Sequence, residues 1–401
     1  MTLDAWLVTL GALGAAVVLG SQALRHIPLT GPLLALGVGA ALGPEGLAVF
    51  RIPDGHAVLN TVSEIAMAIA LMAVALRYPF SDVAKLARPL TLLLTVGMVG
   101  MAATVALLAW GLLGLEPAHA WLLGAVLAPT DPVLSSSIVT GDPAEKDIPY
   151  RLRRLLSAES GANDGLAFPL VVLGVVLMRE EGLGRFITEG LIGVAIAVVA
   201  GIAIGWAAGA LMLRSEEHQD IEDSGFFVFT LVLALLALGV VNMLKGDGIL
   251  GVFVTGLAYN RTVGAMTYDK EREVEEGINR VLVLPVFILL GSLLPWLEWT
   301  EAGLPLVGFG VAVLFLRRLP VIAALRRPLK LDAADTLFYG WFGPIGVAAL
   351  FLVTFAIEEA VDDTVIWPAT ALVVALSTVV HGLTGTPGRA AYARTRQPNS
   401  S

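Results

Sequence analysis

The residues that could do chemistry in this chain lie in two short stretches. Residues 121–139 read WLLGAVLAPTDPVLSSSIV, and residues 154–174 read RLLSAESGANDGLAFPLVVLG. In the first, Pro129 and Pro132 bracket Thr130 and Asp131. Proline has no N–H and clashes with the carbonyl four residues back, so the carbonyls of Ala125 and Ala128 lose their helical partners. Two such breaks around a polar pair are expected to unwind the helix and make a site. In the second stretch, residues four apart share a helix face, which puts Ser160 with Asp164 and Glu159 with Asn163 on the adjacent face. A hard monovalent cation wants oxygens. The Asp164 carboxylate, the Thr130 and Ser160 hydroxyls and the freed carbonyls would supply them. A carboxylate taken out of water can instead hold a proton. Two ligands competing for one carboxylate is the chemistry of exchange.

The elements that must hold these residues are membrane spans. Of 401 residues, 57% are apolar and only 15% charged, against about 45–50% and 25% in soluble proteins. That balance excludes an ordinary soluble enzyme, a nucleic-acid binder and a disordered chain. There is no Cys, and the five His are scattered, so no disulfide, thiolate or metal-ligating motif is written into the sequence and no cofactor is expected. The apolar residues come in runs near the roughly 20 residues that a bilayer requires. Thirteen spans are expected, near 4–22, 28–45, 59–77, 89–114, 119–139, 155–178, 186–213, 224–244, 247–260, 280–298, 302–325, 334–357 and 364–385. The first run lacks a basic stretch before it and reads as a span, not a cleaved signal. Residues 1–387 form one transmembrane domain, and 388–401 a short polar tail expected to be disordered. With the N-terminus outside, nineteen Lys and Arg fall in inner loops and four in outer ones, which places the C-terminus in the cytoplasm of a multi-pass cell-membrane protein.

Charges within spans are costly and mark function. They are Glu64, Asp131, Glu159, Asp164, Arg317 and Arg318. Glu159 and Arg317 lie at matching depth and are expected to form a structural ion pair, with Arg318 the second choice because it can snorkel to the surface. Asp247 and Glu189 lie nearer span ends and read as solvated. A second break, FYGWFGPIGVAALFLV, contains Gly343, Pro344 and Gly346. Two interrupted helices in corresponding halves point to an inverted-repeat transporter with its site at their crossing. A channel would need a symmetric filter, and no TVGYG-like segment occurs.

The stretch APTDPVLSSSIVTG, then YRLRRLLSAESGANDGLAFPLV, with the later RRLP and FGPIG, resembles the monovalent cation:proton antiporters, in the branch of prokaryotic and fungal plasma-membrane sodium/proton exchangers. The resemblance covers spans 3 to 13. It implies an all-α fold of thirteen transmembrane helices, a homodimer, and a core domain (about 89–178 and 302–385) that moves against a dimerisation domain (about 4–77 and 186–298). It implies that Asp164 carries cation and proton, with Asn163 its neighbour, Thr130 and Ser160 as ligands to Na⁺, a backbone contribution from Asp131, and Glu64 reaching the cation through water. It implies Glu159 bridged to the span-11 arginine, for which Arg317 is the better match. One position departs: many prokaryotic relatives carry arginine between the proline and glycine of the second break, and here it is Ile345.

Overall fold

A computed structural model describes residues 30–49, 51–216, 223–264, 283–359 and 364–396. The first expected span, 4–22, lies outside the described residues. The other twelve are helical over most of their described residues, and the described elements are all helices, α-helical except for π-helical stretches at Leu93–Gly97 and Phe186–Ile192. Besides the short helices Phe80–Ala84 and Asp142–Asp147, they are, in chain order, α1 (Gly31–Leu42), α2 (Gly55–Leu76), α3 (Ala87–Leu113), α4 (Pro117–Leu127), α5 (Ser136–Val139), α6 (Tyr150–Met178), α7 (Leu183–Ser215), α8 (Asp223–Met243), α9 (Gly248–Val263), α10 (Val283–Ser292), α11 (Trp296–Leu325), α12 (Ala333–Trp341), α13 (Val347–Glu358) and α14 (Ile366–Arg396). Six of these are long and apolar enough to cross a membrane by themselves. Large apolar side chains such as Leu107, Trp110, Val199, Trp206 and Leu211 are exposed, as expected where the solvent is lipid.

Local chemistry sets the ends. Pro117 opens α4 at its first turn, where its missing N–H costs nothing. Asp332 caps α12 by accepting from the Asp335 N–H at 2.8 Å, and Asp247 caps α9 through the Leu250 N–H at 3.0 Å. The helices divide into two halves. In one, α3 packs on α4, α4 on the outer part of α6, and α11 on α3 and α14. In the other, α9 packs on α7, α8 and α2. The seam runs where α2 meets α13 and α6 meets α9. The seam is tight: a Cβ on Gly165 would lie 2.7 Å from Leu250 Cα.

Polar contacts tie the seam at both ends. At the basic face, Arg77 donates to Ser157 (3.0 Å), and Tyr150 donates to Asp82 (3.1 Å), which also meets Arg154 (3.2 Å). The hydrogen bond from Lys85 holds the Asp82 carboxyl below its ordinary range, against the upward pull of burial. A depressed carboxyl contributes stability above its unfolded value and loses it as acid titrates the folded form, so this tie weakens only at acid pH. At the opposite face, Asn60 donates to Glu358 (2.8 Å) and the rings of His56 and Trp367 stand 4.6 Å apart.

The tail corrects an expectation. Residues 388–396 are not disordered but continue α14 past Pro387. Arg389 pairs with Asp147 (2.9 Å), Arg396 with Asp332 (2.8 Å) and Asp335, and Tyr392 donates to Asp335 (2.6 Å). These loops and the tail gather on one face.

Candidate ion-binding site

Both expected breaks are open backbone. The chain leaves the helix after Leu127 and resumes at Ser136, and it leaves again after Trp341 and resumes at Val347. The two unwound segments touch: the Asp131 N–H donates to the Pro344 carbonyl at 2.8 Å. Two helix ends of each polarity therefore meet in the core, and each polarity is answered by one side chain. Asp131 accepts from the Val133 and Leu134 N–H groups (2.7 Å each) through Oδ1, and from the Val347 N–H (2.6 Å) through Oδ2. Arg317 donates to the carbonyls of Leu127 (3.1 Å), Ala128 (2.7 Å), Pro129 (2.9 Å) and Gly343. A carboxylate sits on the positive ends of the half-helices and a guanidinium on the negative ends.

This arrangement changes two sequence-based expectations. The freed carbonyls are not open to a cation, since Arg317 occupies Ala128 and the Ala125 carbonyl accepts from the Ala128 N–H (3.4 Å). Nor is Arg317 the partner of Glu159. Arg318 is: its Nη1 and Nη2 meet the two Glu159 oxygens at 2.7 and 2.8 Å. The cause is a local break in α11. The helix stops at Leu316 and restarts at Leu319, with Arg318 at φ −108°, so consecutive arginines diverge, one to the crossing and one to α6. Tyr339 completes the cluster by donating to Glu159, and its carbonyl accepts from Arg318 Nε (3.1 Å). Sequence reasoning missed Tyr339; its hydroxyl, one turn before the Gly343–Pro344 break, was the available signal.

Beside the crossing, α6 presents its polar face. Thr130 Oγ1 and Ser160 Oγ are 3.1 Å apart, Asn163 Nδ2 donates to Thr130 Oγ1 (2.9 Å), and the Thr130 N–H donates to Asn163 Oδ1 (3.3 Å). Asp164 is 2% exposed, and its Oδ1 has no hydrogen-bond partner. It lines a cavity of about 10 Å³, room for about one water molecule, bounded by Asp131, Pro132, Val133 and Val347 on one side and by Ala66, Met67, Ala70 and Leu71 of α2 on the other. The structure thus brings together Thr130, Asp131, Ser160, Asn163 and Asp164. It does not bring Glu64 to the cavity; that carboxylate accepts from Asn242 at 2.8 Å. Ile345 is buried, and its N–H donates to Ser377 Oγ (2.8 Å), so α14 holds the second break.

Gly346 is forced by the crossing. A Cβ there would lie 2.3 Å from Asp131 Oδ2, and that oxygen cannot retreat without releasing the Val347 N–H. Gly346→Ala is therefore expected to lower stability in detergent by about 1–3 kcal/mol, the usual cost of overpacking. A melting temperature equal to wild type would contradict this account of the crossing.

The family described as "Sodium/hydrogen exchanger, transmembrane" matches residues 11–388. The chain is 33% identical over 358 residues to the Na⁺/H⁺ antiporter 2 of Zygosaccharomyces rouxii, covering 80% of this chain and 44% of that protein. It is 31% identical over 386 residues to the Na⁺/H⁺ antiporter of Saccharomyces cerevisiae, covering 86% and 39%. To the K⁺/H⁺ antiporter NhaP2 of Shewanella sp. (strain ANA-3) it is 26% identical, covering 86% and 60%. The chain therefore spans about two-fifths of the length of those two fungal relatives. Its fold is that of the sodium proton antiporter MjNhaP1 from Methanocaldococcus jannaschii, with a TM-score of 0.76 at 18% identity, covering 97% of this chain and 99% of that one. The chain belongs to the transmembrane sodium/hydrogen exchanger family.

Proposed function

We propose that this chain exchanges Na⁺ for H⁺ across the cell membrane, with Asp164 binding either cation or proton. One observation carries the reading: a buried carboxylate with a free oxygen faces a cavity at the crossing of two broken helices. Thr130 and Ser160 add hydroxyl oxygens to the site, and Asn163 orients Thr130 through two hydrogen bonds. The basic face, with its loop and tail ion pairs, is the cytoplasmic one, and the N-terminus is outside. The half that carries the crossing moves by alternating access. The half built on α1, α2 and α7–α10 is stationary and forms the homodimer. Substrates are the monovalent cation and the proton; the chain is a carrier, not an enzyme. The likeness to K⁺/H⁺ antiporters supports K⁺ as the competing cargo. Counterflow of ²²Na⁺ and ⁸⁶Rb⁺ in proteoliposomes decides: proton-coupled uptake of neither ion would overturn the assignment.

The charges predict the stoichiometry. Asp131 and Arg317 are committed to helix ends, and Glu159 and Arg318 to each other, so Asp164 is the one carboxylate of the cup left to exchange ligands. It holds one cation or one proton, and both loaded states carry equal charge. Exchange is expected to be electroneutral, with no steady current on a solid-supported membrane under a Na⁺ gradient. A current that reverses with that gradient would show a second titrating group in the cycle.

A further inference from the structure

Two carboxylates near the Asp164 cup have no part in it. Asp247 is 6% exposed, and its Oδ1 caps α9 through the Leu250 N–H. Its own N–H donates to the Gly193 carbonyl (3.1 Å), which fixes the residue in place. Its Oδ2 is buried and has no hydrogen-bond partner. Glu64 projects from α2 one turn from Met67, which bounds the Asp164 cavity. Glu64 lies close enough to act electrostatically on Asp247. Asn242 joins them: its Nδ2 donates to Glu64 Oε1. Its Oδ1 lies so close to the start of α9 that a Cβ on Gly248 would stand 2.1 Å from it. Among the described residues, neither carboxylate has a Lys or Arg partner.

Depth follows from packing. The Leu250 backbone sits on Gly165, next to Asp164. Asp247 precedes Leu250 by three residues, so it lies about one turn further toward the face that carries Glu358. The sequence reading of Asp247 as a solvated span end does not hold.

Two neighbouring carboxylates at membrane depth need a counter-charge. The free Oδ2 of Asp247, the second oxygen of Glu64 and the Asn242 carbonyl oxygen are three hard donors, with no nitrogen or sulfur ligand. Oxygen donors completed by water suit a hard cation, and since Mg²⁺ too is held by one or two carboxylates and several waters, the choice of a monovalent ion follows from the proposed cargo. We propose that Glu64, Asp247 and Asn242 form a second monovalent-cation site, distinct from the Asp164 cup. The site rests on the proposed cargo being a monovalent cation. It is built on the stationary half, so its ion waits beside the route to Asp164 and is not counted in the exchange.

The test reads binding, not transport. Purified full-length Asp164→Asn protein in detergent is titrated with ²²Na⁺ by equilibrium dialysis. It is expected to retain saturable binding of a single ion per chain. Adding Asp247→Asn removes the charge while keeping a good helix cap, and should abolish that binding. Adding Glu64→Gln to Asp164→Asn instead should weaken it about tenfold or more, at 1.4 kcal/mol per decade. Thermal melts confirm that each variant is folded, and the Glu64→Gln arm stands if Asp247→Asn does not fold. Overturning results are an Asp164→Asn chain that binds no ²²Na⁺, as when the two carboxylates share a proton, or binding indifferent to Asp247→Asn and Glu64→Gln. If the Asp164→Asn protein shows the expected binding while the wild type exchanges nothing, the transport assignment falls and this site stands. A chain that exchanges normally without the second binding event does the reverse.

Discussion

Asp164→Asn is expected to fold and to stop exchanging. Asparagine is close to isosteric, and Asp164 Oδ1 has no hydrogen-bond partner to strand, so the crossing and the Thr130–Ser160–Asn163 cluster should survive intact. What goes is the one group of the cup that can hold either a cation or a proton. Exchange in proteoliposomes, followed by a pH-sensitive dye, should fall by about a hundredfold or more, near 3 kcal/mol at 1.4 kcal/mol per decade. The melting temperature should stay near wild type. An Asp164→Asn protein with substantial Na⁺/H⁺ exchange would remove Asp164 from the centre of the mechanism.

The largest stability effect should come from the Glu159–Arg318 pair. Both side chains are essentially buried, at 0% and 2% exposure. Deleting one partner leaves the other charged in a medium that cannot solvate it, typically at a cost of about 3–5 kcal/mol. Arg318→Ala and Glu159→Ala should each cause a large drop in detergent stability. The double variant should lose much less than the two losses together, because the second deletion relieves the charge stranded by the first. Arg317→Ala should also destabilise, but through stranded carbonyls. Combined with Glu159→Ala its effect should lie closer to additive. A cycle in which Glu159 couples more strongly to Arg317 than to Arg318 would show that the pairing described here is wrong.

Much of this was legible in the sequence because the signals are local. A proline in an apolar run breaks a helix wherever the run ends up, so both interruptions could be read. A carboxylate in such a run needs a reason, which singled out Asp131, Glu159 and Asp164. The partners were less legible. Arg317 and Arg318 are adjacent, and which one faces α6 depends on the stop at Leu316 and restart at Leu319. The double capping by Asp131 requires residues 133 and 347 at one point, and only the tertiary crossing brings them there. Asp247 read as a solvated span end; its depth comes from the contact of α9 with Gly165. The polar tail resembled disorder because its partners, Asp147, Asp332 and Asp335, are far away in sequence.

The wiring of the crossing also bears on how fast such a carrier could turn over. Every partner of Asp131, Arg317, Glu159 and Thr130 belongs to the same half of the molecule, so the ligand cup need not be rebuilt on each passage. In the exchange proposed above, what a passage must break lies in the seam: the Asn60–Glu358 bond at one face, and the Arg77–Ser157 and Asp82–Arg154 contacts at the other. On that proposal the activation barrier resides in hydrogen bonds and packing remote from the ion, and turnover would be retuned to a colder or hotter habitat by substitutions along the seam, with no change in which ion is carried.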